Sequence, residues 1–312
     1  MNTDPLSPVL IATALDEGSD VTVRTGLAWA AELERPARLV HVMPNLWGTD
    51  PATDWALAAA LPTPEELTER MRLQAARTQP AESTAATAAV AVSFQIATGS
   101  THHAVAEEAT RQDARVIVVG AHARQHDGFP SLGNTTDRMV RLADRPLLVT
   151  RGAVRVSPAR RVLCAVDMSP LSEEALVDAL TLLTSLQGAP PIIDVVFVLG
   201  FFEGLSLRSR HRLGPAAAAS ELVRAAVDEL AQLLTRVAPD AARRPAGRVI
   251  EGDPKIALVD VLTTGSYDLL VVGTHGRSGF DRLLTGSVTS SLLRRVPCDT
   301  LVIPPQAARA KG

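Results

Sequence analysis

The chain has 312 residues, of which 46% are hydrophobic, 21% charged and 3% aromatic, and its formal net charge is −3. This length allows two domains of ordinary size, each with enough apolar residues to bury a core. The small net charge argues against a general attraction to nucleic acid or anionic membranes, and the scarcity of aromatics argues against stacking platforms for single-stranded nucleic acid.

The termini and cysteines give further expectations. Cys164 and Cys298 suggest neither a disulfide framework nor a metal site. Residues 1–8 are polar and lack the apolar core of a signal peptide, and no apolar run is long enough to span a bilayer. We therefore expect a cytoplasmic protein.

The first half is predicted to alternate strands and helices. Val9 and Leu10 lie in its first apolar run, and Leu148 and Val149 lie in its last. A helix begins after Leu61, where the sequence Thr-Pro-Glu-Glu at 63–66 has the pattern of a capping box. Another helix is expected after Gly99.

The second half is predicted to contain five strands and the helices between them. The strands cover residues 161–167, 192–199, 248–251, 269–272 and 300–303. The helices cover residues 172–186, with Ser169 or Ser172 as the N-cap, then 216–237 and 255–264. Because these strands lack polar alternation and are separated by helices, we expect parallel sheets covered on both faces.

A repeat relates the two halves at one fixed offset of 153 residues. The segment 117–124, Ile-Val-Val-Gly-Ala-His-Ala-Arg, resembles the segment 270–277, Leu-Val-Val-Gly-Thr-His-Gly-Arg. Further pairs at this offset are Gly133 with Gly286, Gly99 with Gly252 and Ser19 with Ser172. Matches in one register indicate a duplication, so we predict two domains, 1–152 and 158–312.

A glycine-rich loop follows the fourth strand of the second half. Gly273 and Gly276 begin it, and the segment 286–289, Gly-Ser-Val-Thr, is predicted to open the last helix. Glycines let the backbone approach an anion closely, and free N–H groups at a helix start attract phosphate. The alternative is a strand-to-helix turn without a ligand, because glycine patterns alone are weak signals.

Asp167 ends the first strand of the second half. A carboxylate at a strand's carboxyl end can accept hydrogen bonds from ribose hydroxyls or from a base edge. The alternative is that Asp167 caps the helix that follows.

Together these residues resemble the universal stress protein family over almost the whole chain, as two tandem copies. The spacing Gly273-x2-Gly276-x9-Gly286-Ser287 matches the family's ATP-binding signature. The resemblance implies an α/β fold: two doubly wound five-stranded parallel sheets of order 3-2-1-4-5, flanked by helices and forming a pseudo-dimer. It further implies an ATP-binding regulatory protein of the stress response, with a homodimer of whole chains as one possible assembly.

The family's site is carried over where positions match. Asp167 is expected at the ribose or adenine, Ala165 in the adenine pocket, and Val198 at the base through its backbone. The ribose and phosphates are expected along Val272, Gly273, His275 and Gly276, and the phosphate tail at Gly286, Ser287, Val288 and Thr289. His275 is open to a second interpretation, as a solvated loop histidine.

The first half departs from this pattern. Ala14 stands in place of Asp167, Ala123 in place of Gly276, and Asn134 in place of Ser287, although Gly120 and Gly133 remain and Asp16 lies nearby. We therefore expect the first half to bind ATP weakly or not at all and to act as a structural partner.

Other features leave alternatives open. His102-His103 and His122 with His126 lack companion ligands, so no metal site is expected. Trp47 and Trp55 are expected either to cover the ligand crevice at the carboxyl ends of the strands or to pack in an interface. Phe201-Phe202 is expected to form either a lid or an interface anchor.

Two other functions compete with the regulatory reading: a slow ATPase or nucleotidyl transferase, and an interaction module that binds no nucleotide. No catalytic motif is recognised, and we expect no enzyme. Asp281, inside the loop, is a candidate to help hold Mg²⁺.

Overall fold

A computed structural model describes residues 7–43, 61–79, 90–121, 133–152, 161–211, 219–274 and 287–305. The described residues up to 152 form one compact unit, and those from 161 onwards form a second. We refer to them as the first and second copy. Predictions for Trp47, Trp55, His122 and His126 lie outside the described residues.

The first copy contains a parallel sheet with strand order β3-β2-β1-β4-β5. Its elements are β1 (Val9–Ala12), a 3-10 turn (Glu17–Ser19), α1 (Asp20–Glu32), β2 (Ala37–Met43), α2 (Pro64–Thr78), β3 (Val92–Thr98), α3 (Thr101–Arg111), β4 (Val116–Gly120), α4 (Asn134–Leu142) and β5 (Leu147–Thr150). Helix α1 packs against α2, and α3 packs against α4. The two helix pairs cover the sheet in the manner of a doubly wound fold.

The second copy repeats this arrangement, with strand order β8-β7-β6-β9-β10. Its elements are β6 (Arg161–Val166), α5 (Pro170–Thr184), β7 (Ile192–Leu199), α6 (Phe201–Arg210), α7 (Ala219–Val237), β8 (Ala246–Glu251), α8 (Pro254–Thr264), β9 (Leu269–Gly273), α9 (Ser287–Arg295) and β10 (Asp299–Ile303). Numbered within each copy, both sheets have the order 3-2-1-4-5. The predicted strand order is therefore confirmed.

Two predictions about helices need correction. Helix α5 begins at Pro170, with Ser169 as its N-cap and the proline in its first turn, not at Ser172. Helix α6 was not predicted, and Phe201, considered as a lid or an interface anchor, is its first residue. Its N-cap is Gly200, which makes no side-chain capping bond, so the usual polar signal for a helix start is missing.

Each core is formed by buried residues of the central strands together with those of the helices that cover the sheet. The residues of β5 are all buried, and Phe197 in β7 is fully buried. The capping box at the start of α2 is present: Thr63 accepts from the Glu66 amide, and Glu66 accepts from the Thr63 amide. Among the described residues, no helix is both long and apolar enough to cross a membrane.

The duplication is visible in backbone conformation as well as in sequence. Leu15 and Met168, 153 residues apart, both have a φ of 61°. Asp113 and Ser266, at the same offset, have φ of 48° and 52°. Residues with a Cβ rarely adopt this left-handed conformation. Its recurrence at equivalent positions shows that the two copies share loop geometry where their side chains have diverged.

An ion pair at the start of the first helix also occurs in both copies. Asp20 in α1 pairs with Arg77 in α2 at 2.7 Å, and Glu173 in α5 pairs with Arg236 in α7 at 2.8 Å. The hydrogen bond from Arg77 lowers the pKa of Asp20, and the hydrogen bond from Arg236 lowers the pKa of Glu173. Each pair joins the helix after the first strand to the helix before the third.

Arg77→Met or Arg236→Met should therefore destabilise its copy at neutral pH but not in acid. A carboxyl whose folded-state pKa is depressed stabilises the fold above its ordinary pKa, here 3.8 for Asp20 and 4.5 for Glu173. That stabilisation is lost as the pH falls through the folded-state pKa. Urea midpoints of variant and wild type should differ at neutral pH and converge in acid.

Arg243→Met is a suitable control, because Arg243 is 86% exposed and lies 3.8 Å from its partner Asp240. It should leave the urea midpoint unchanged at both pH values. A difference between wild type and the Arg77 or Arg236 variant that does not shrink in acid would contradict the assignment of these pKa shifts.

Candidate functional site

The first and fourth strands of the second copy separate at their carboxyl ends. The parallel ladder between β6 and β9 runs from Val162 paired with Leu269 to Cys164 paired with Val271. Strand β6 nevertheless continues to Val166 and β9 to Gly273. This is the point where the strand order reverses, and doubly wound sheets bind ligands in the crevice there.

Asp167 lies directly after β6, at this carboxyl edge, and is half-buried. Its Oδ1 accepts hydrogen bonds from the backbone N–H of Ser169, at 2.9 Å, and from the Ser169 hydroxyl, at 2.6 Å. Its own backbone N–H donates to Ser172 Oγ at 3.1 Å. Since the N-cap of α5 is Ser169, Asp167 is not the helix cap that the alternative interpretation required.

Gly273 ends β9 and is tied to the helix that follows the loop. The hydroxyl of Thr289, in the first turn of α9, donates to the Gly273 carbonyl at 2.9 Å. The hydroxyl hydrogen of Thr289 is thus already used. What Thr289 and Val288 offer an anion is their backbone N–H groups, because the first amides of a helix lack intrahelical acceptors.

The apolar members of the predicted site lie on three adjacent strands. Ala165 is half-buried on β6, Val198 is buried near the end of β7, and Val272 is buried near the end of β9. Strand β6 pairs with both β7 and β9, so these residues share one end of the sheet. Cys164 lies beside Ala165, and burial raises the pKa of its thiol to about 12, which keeps it protonated.

The rest of the predicted site lies outside the described residues. This holds for His275, Gly276 and Gly286, for the Mg²⁺ candidate Asp281, and for the side chain of Ser287, whose backbone begins α9. The structure thus places Asp167 and Gly273 at the carboxyl ends of neighbouring strands, and it joins the start of α9 to Gly273 through Thr289. Among the described residues, no cluster of three His, Cys, Asp or Glu side chains could hold a metal ion.

The first copy keeps the tie between its fourth strand and last helix. Thr136 in α4 donates to the Gly120 carbonyl at 2.7 Å, and both residues lie 153 positions before Thr289 and Gly273. The backbone closes in the same way: Ala121 N donates to the Thr150 carbonyl, just as Thr274 N donates to that of Ile303. This hydrogen-bonded frame therefore occurs in both copies.

The first copy differs in the loop after its first strand, where a buried amide replaces apolar packing. Gln74 in α2 is 1% exposed and accepts a hydrogen bond from the Thr13 hydroxyl at 2.7 Å. Its Nε2 donates to Asp20 Oδ1 at 2.7 Å and to Ser19 Oγ at 3.0 Å. Through these bonds, Gln74 fixes the loop between β1 and α1.

The second copy has apolar side chains at the equivalent positions. Gln74 lies three residues before Arg77, and Leu233, which is 2% exposed, lies three residues before Arg236. Thr13 corresponds to the buried Val166. The loop of the second copy is instead held by Asp167 and Ser169, close to the crevice. The two copies therefore stabilise the same loop by different means.

Sequence reasoning missed two residues that organise these loops. Gln74 gave no signal, because a single glutamine in an amphipathic helix resembles a surface residue. Ser169 was considered only as a helix cap, although its spacing from Asp167 allowed a local hydrogen bond. Thr136 and Thr289 could have been paired by the offset of 153.

The architecture and the crevice define the class of this protein: a tandem of doubly wound α/β domains, each with a candidate ligand site where the strand order reverses. The sequence profile of the universal stress protein family matches residues 6–151 and again residues 158–304. The chain therefore belongs to the universal stress protein family, as a member with two copies of the domain.

Sequence relatives agree with this membership, and a solved structure agrees with the fold. A universal stress protein of Mycolicibacterium smegmatis is 26% identical over 304 residues, which cover 96% of this chain and 97% of the relative. Another, from Mycobacterium tuberculosis, is 29% identical over 191 residues, 59% of this chain and 61% of its own. The solved universal stress protein of Archaeoglobus fulgidus superposes with a TM-score of 0.67 at 14% identity, covering 95% of this chain and 98% of its own.

Thr289→Val and Thr136→Val form a matched pair that tests the shared frame. Each removes one hydroxyl donor and leaves a glycine carbonyl without it, so each should lower the free energy of unfolding of its copy by about 1 kcal/mol. Urea denaturation measures both. If Thr289→Val leaves the free energy of unfolding unchanged while Thr136→Val lowers it as expected, the hydrogen bond from Thr289 to Gly273 does not stabilise the second copy.

Proposed function

We propose that this protein is an ATP-binding regulatory protein of the stress response, with one competent nucleotide site in its second copy. The observation that carries the proposal is that Asp167 and Gly273 end the two neighbouring strands at the strand-order reversal, with Gly273 hydrogen-bonded to the start of α9. In this proposal the Asp167 carboxylate and the first turn of α9 lie on either side of one crevice. These groups complement two parts of a nucleotide, because its ribose donates hydrogen bonds and its phosphates accept them.

In this proposal the adenine lies over the apolar strand ends at Ala165, Val198 and Val272. Asp167 accepts from the sugar, and the backbone at Gly273 and the first turn of α9 meets the phosphates. Membership of the universal stress protein family and the spacing of Gly273, Gly276, Gly286 and Ser287 support this assignment.

The first copy is proposed to bind ATP weakly or not at all. It has Ala14 where the second copy has Asp167, and the loop around this position is held by the buried amide of Gln74. Without the carboxylate, a nucleotide loses its sugar acceptor there. The first copy then serves as a structural partner whose loop needs no ligand to be ordered.

ATP binding by isothermal titration calorimetry tests the site directly. The intact chain should bind one ATP, and Asp167→Ala should weaken binding by about 10- to 100-fold, since a hydrogen bond to a charged group is lost. Asp16→Ala is the control: Asp16 lies at the equivalent edge of the first copy and caps the 3-10 turn by accepting from Ser19 N. This variant should leave ATP affinity unchanged.

Two results would count against the proposal. Two equivalent ATP molecules per chain would show that the first copy is competent. The second result has two parts: native mass spectrometry finds no adenine nucleotide on the purified protein, and calorimetry finds no binding at ATP concentrations up to about 1 mM. A Kd above about 1 mM corresponds to weak association. The second site would then be without its ligand.

The site is proposed to bind ATP without rapid turnover. The described residues of the crevice include Asp167, whose Oδ1 is engaged by Ser169, and no recognised catalytic motif accompanies it. Purified protein should therefore hydrolyse ATP more slowly than about 1 per second, the lower end of ordinary enzyme rates. Faster turnover, abolished by Asp167→Ala, would make the protein an ATPase.

Three further attributes belong to this proposal. The protein acts in the cytoplasm, its ATP carries Mg²⁺, and two whole chains associate as a homodimer. Sedimentation of the purified chain with and without ATP measures the last of these.

A further inference from the structure

We infer that Ser169 is a positioning residue of the nucleotide site: its hydroxyl orients the Asp167 carboxylate for a ribose hydroxyl. The inference rests on the proposed function of the second copy and assigns to Ser169 a role beyond capping α5. It is carried by the hydrogen bonds around Ser169 and by what the first copy has in the same place.

Ser169 uses its hydroxyl in two directions. The oxygen accepts from the Ser172 backbone N–H at 3.2 Å, which caps α5, and the hydrogen is donated to Asp167 Oδ1 at 2.6 Å. The backbone N–H of Ser169 donates to the same oxygen at 2.9 Å. Ser169 and Ser172 are both 8% exposed, so these bonds are largely shielded from water.

The first copy has a capping side chain at the position of Ser169 but no carboxylate at the position of Asp167. Asp16 stands at the position of Ser169, and its Oδ1 accepts from the Ser19 backbone N–H at 2.9 Å, the bond equivalent to Ser169–Ser172, which here caps the 3-10 turn before α1. The preceding loop residues Leu15 and Met168 share a φ of 61°, so the loops match. A carboxylate can cap a helix but has no proton to donate. A hydroxyl at this position is therefore not needed for capping. In the second copy the hydroxyl also donates a hydrogen bond to Asp167, which a carboxylate could not do.

Two donors on one oxygen hold the carboxylate before any ligand arrives. Hydrogen bonds to an ionised acceptor are stronger than neutral ones, and a pre-oriented group loses less conformational freedom on binding. Ser169 thus raises affinity for ligands that donate to Asp167 and gives little to ligands that lack the donor. The site should then distinguish ATP from a deoxy analogue partly through Ser169.

Ser169→Asn and Ser169→Asp separate the two roles, because these side chains have the same shape and cap helices equally well. Asparagine accepts from Ser172 N and can still donate its amide to Asp167. Aspartate accepts from Ser172 N, cannot donate and places a second negative charge beside Asp167. Both variants should keep the cap, although repulsion from Asp167 should lower the thermal unfolding midpoint of Ser169→Asp. Measured at a temperature where both variants are folded, their ATP affinities should differ.

The experiment measures ATP, 2′-deoxy-ATP and 3′-deoxy-ATP binding to wild type and both variants by calorimetry. Ser169→Asn should bind ATP within about threefold of wild type, and Ser169→Asp at least about tenfold more weakly, the change expected for one lost bond to a charged group. For the analogue that lacks the contacted hydroxyl, the difference between the variants should largely disappear. In an Asp167→Ala background, Ser169→Asp should add no further loss.

The outcomes distinguish this inference from the proposed function. If wild type binds no ATP, the proposed function fails and this inference fails with it. If wild type binds ATP and Asp167→Ala weakens it, but Ser169→Asp binds as well as Ser169→Asn, only the positioning role is overturned. A Ser169→Asp loss that is equal for ATP and both analogues, or that persists without Asp167, likewise overturns it. Should Ser169→Asp fail to fold, Ser169→Ala supplies the variant that cannot donate, with Ser169→Asn as the comparison.

Discussion

The pairing of the first strand with the fourth organises each copy of this protein. Strand β6 lies between β7 and β9, and β1 lies between β2 and β4, so the chain leaves the first strand towards one side and returns on the other. The crossover helices then cover opposite faces, and doubly wound sheets bind ligands above the carboxyl ends at the reversal. The crevice is thus a consequence of strand order, and the residues at these strand ends decide its use.

The two copies use this common frame differently. Both tie the fourth strand to the last helix through a threonine hydroxyl, and both pair an acid at the first helix with an arginine on a later helix. They diverge in the loop after the first strand, where one copy has a buried glutamine network and the other has Ser169 and Asp167. Buried polar groups need partners, and in the first copy Gln74, Thr13 and Ser19 supply them to one another. The two copies thus differ at several residues around this loop and not at Ala14 and Asp167 alone.

Sequence reasoning succeeded where the signal was local or repeated. Apolar runs located the strands, the capping box at Thr63 marked a helix start, and the offset of 153 residues revealed the duplication. It failed at α6, whose N-cap Gly200 makes no side-chain bond, and at the start of α5, where Ser169 was one of two candidate caps. A helix without a capping signal, directly after a strand, depends on packing that a linear pattern does not record.

The sequence by itself determined the class of fold, the duplication, the family and the placement of Asp167 and Gly273 at strand ends. The fold class, the duplication and these placements follow from periodicity or spacing, which act over a few residues or recur at a fixed offset, and the family follows from the resemblance of the glycine signature. Only the tertiary structure decided which hydrogen-bond partners these hydroxyl groups and the Gln74 amide have. Thr289 donates to Gly273, Ser169 donates to Asp167, and Gln74 fills the loop of the first copy. Thr289 and Gln74 reach partners 16 and 61 residues away along the chain, so folding had to bring those groups together.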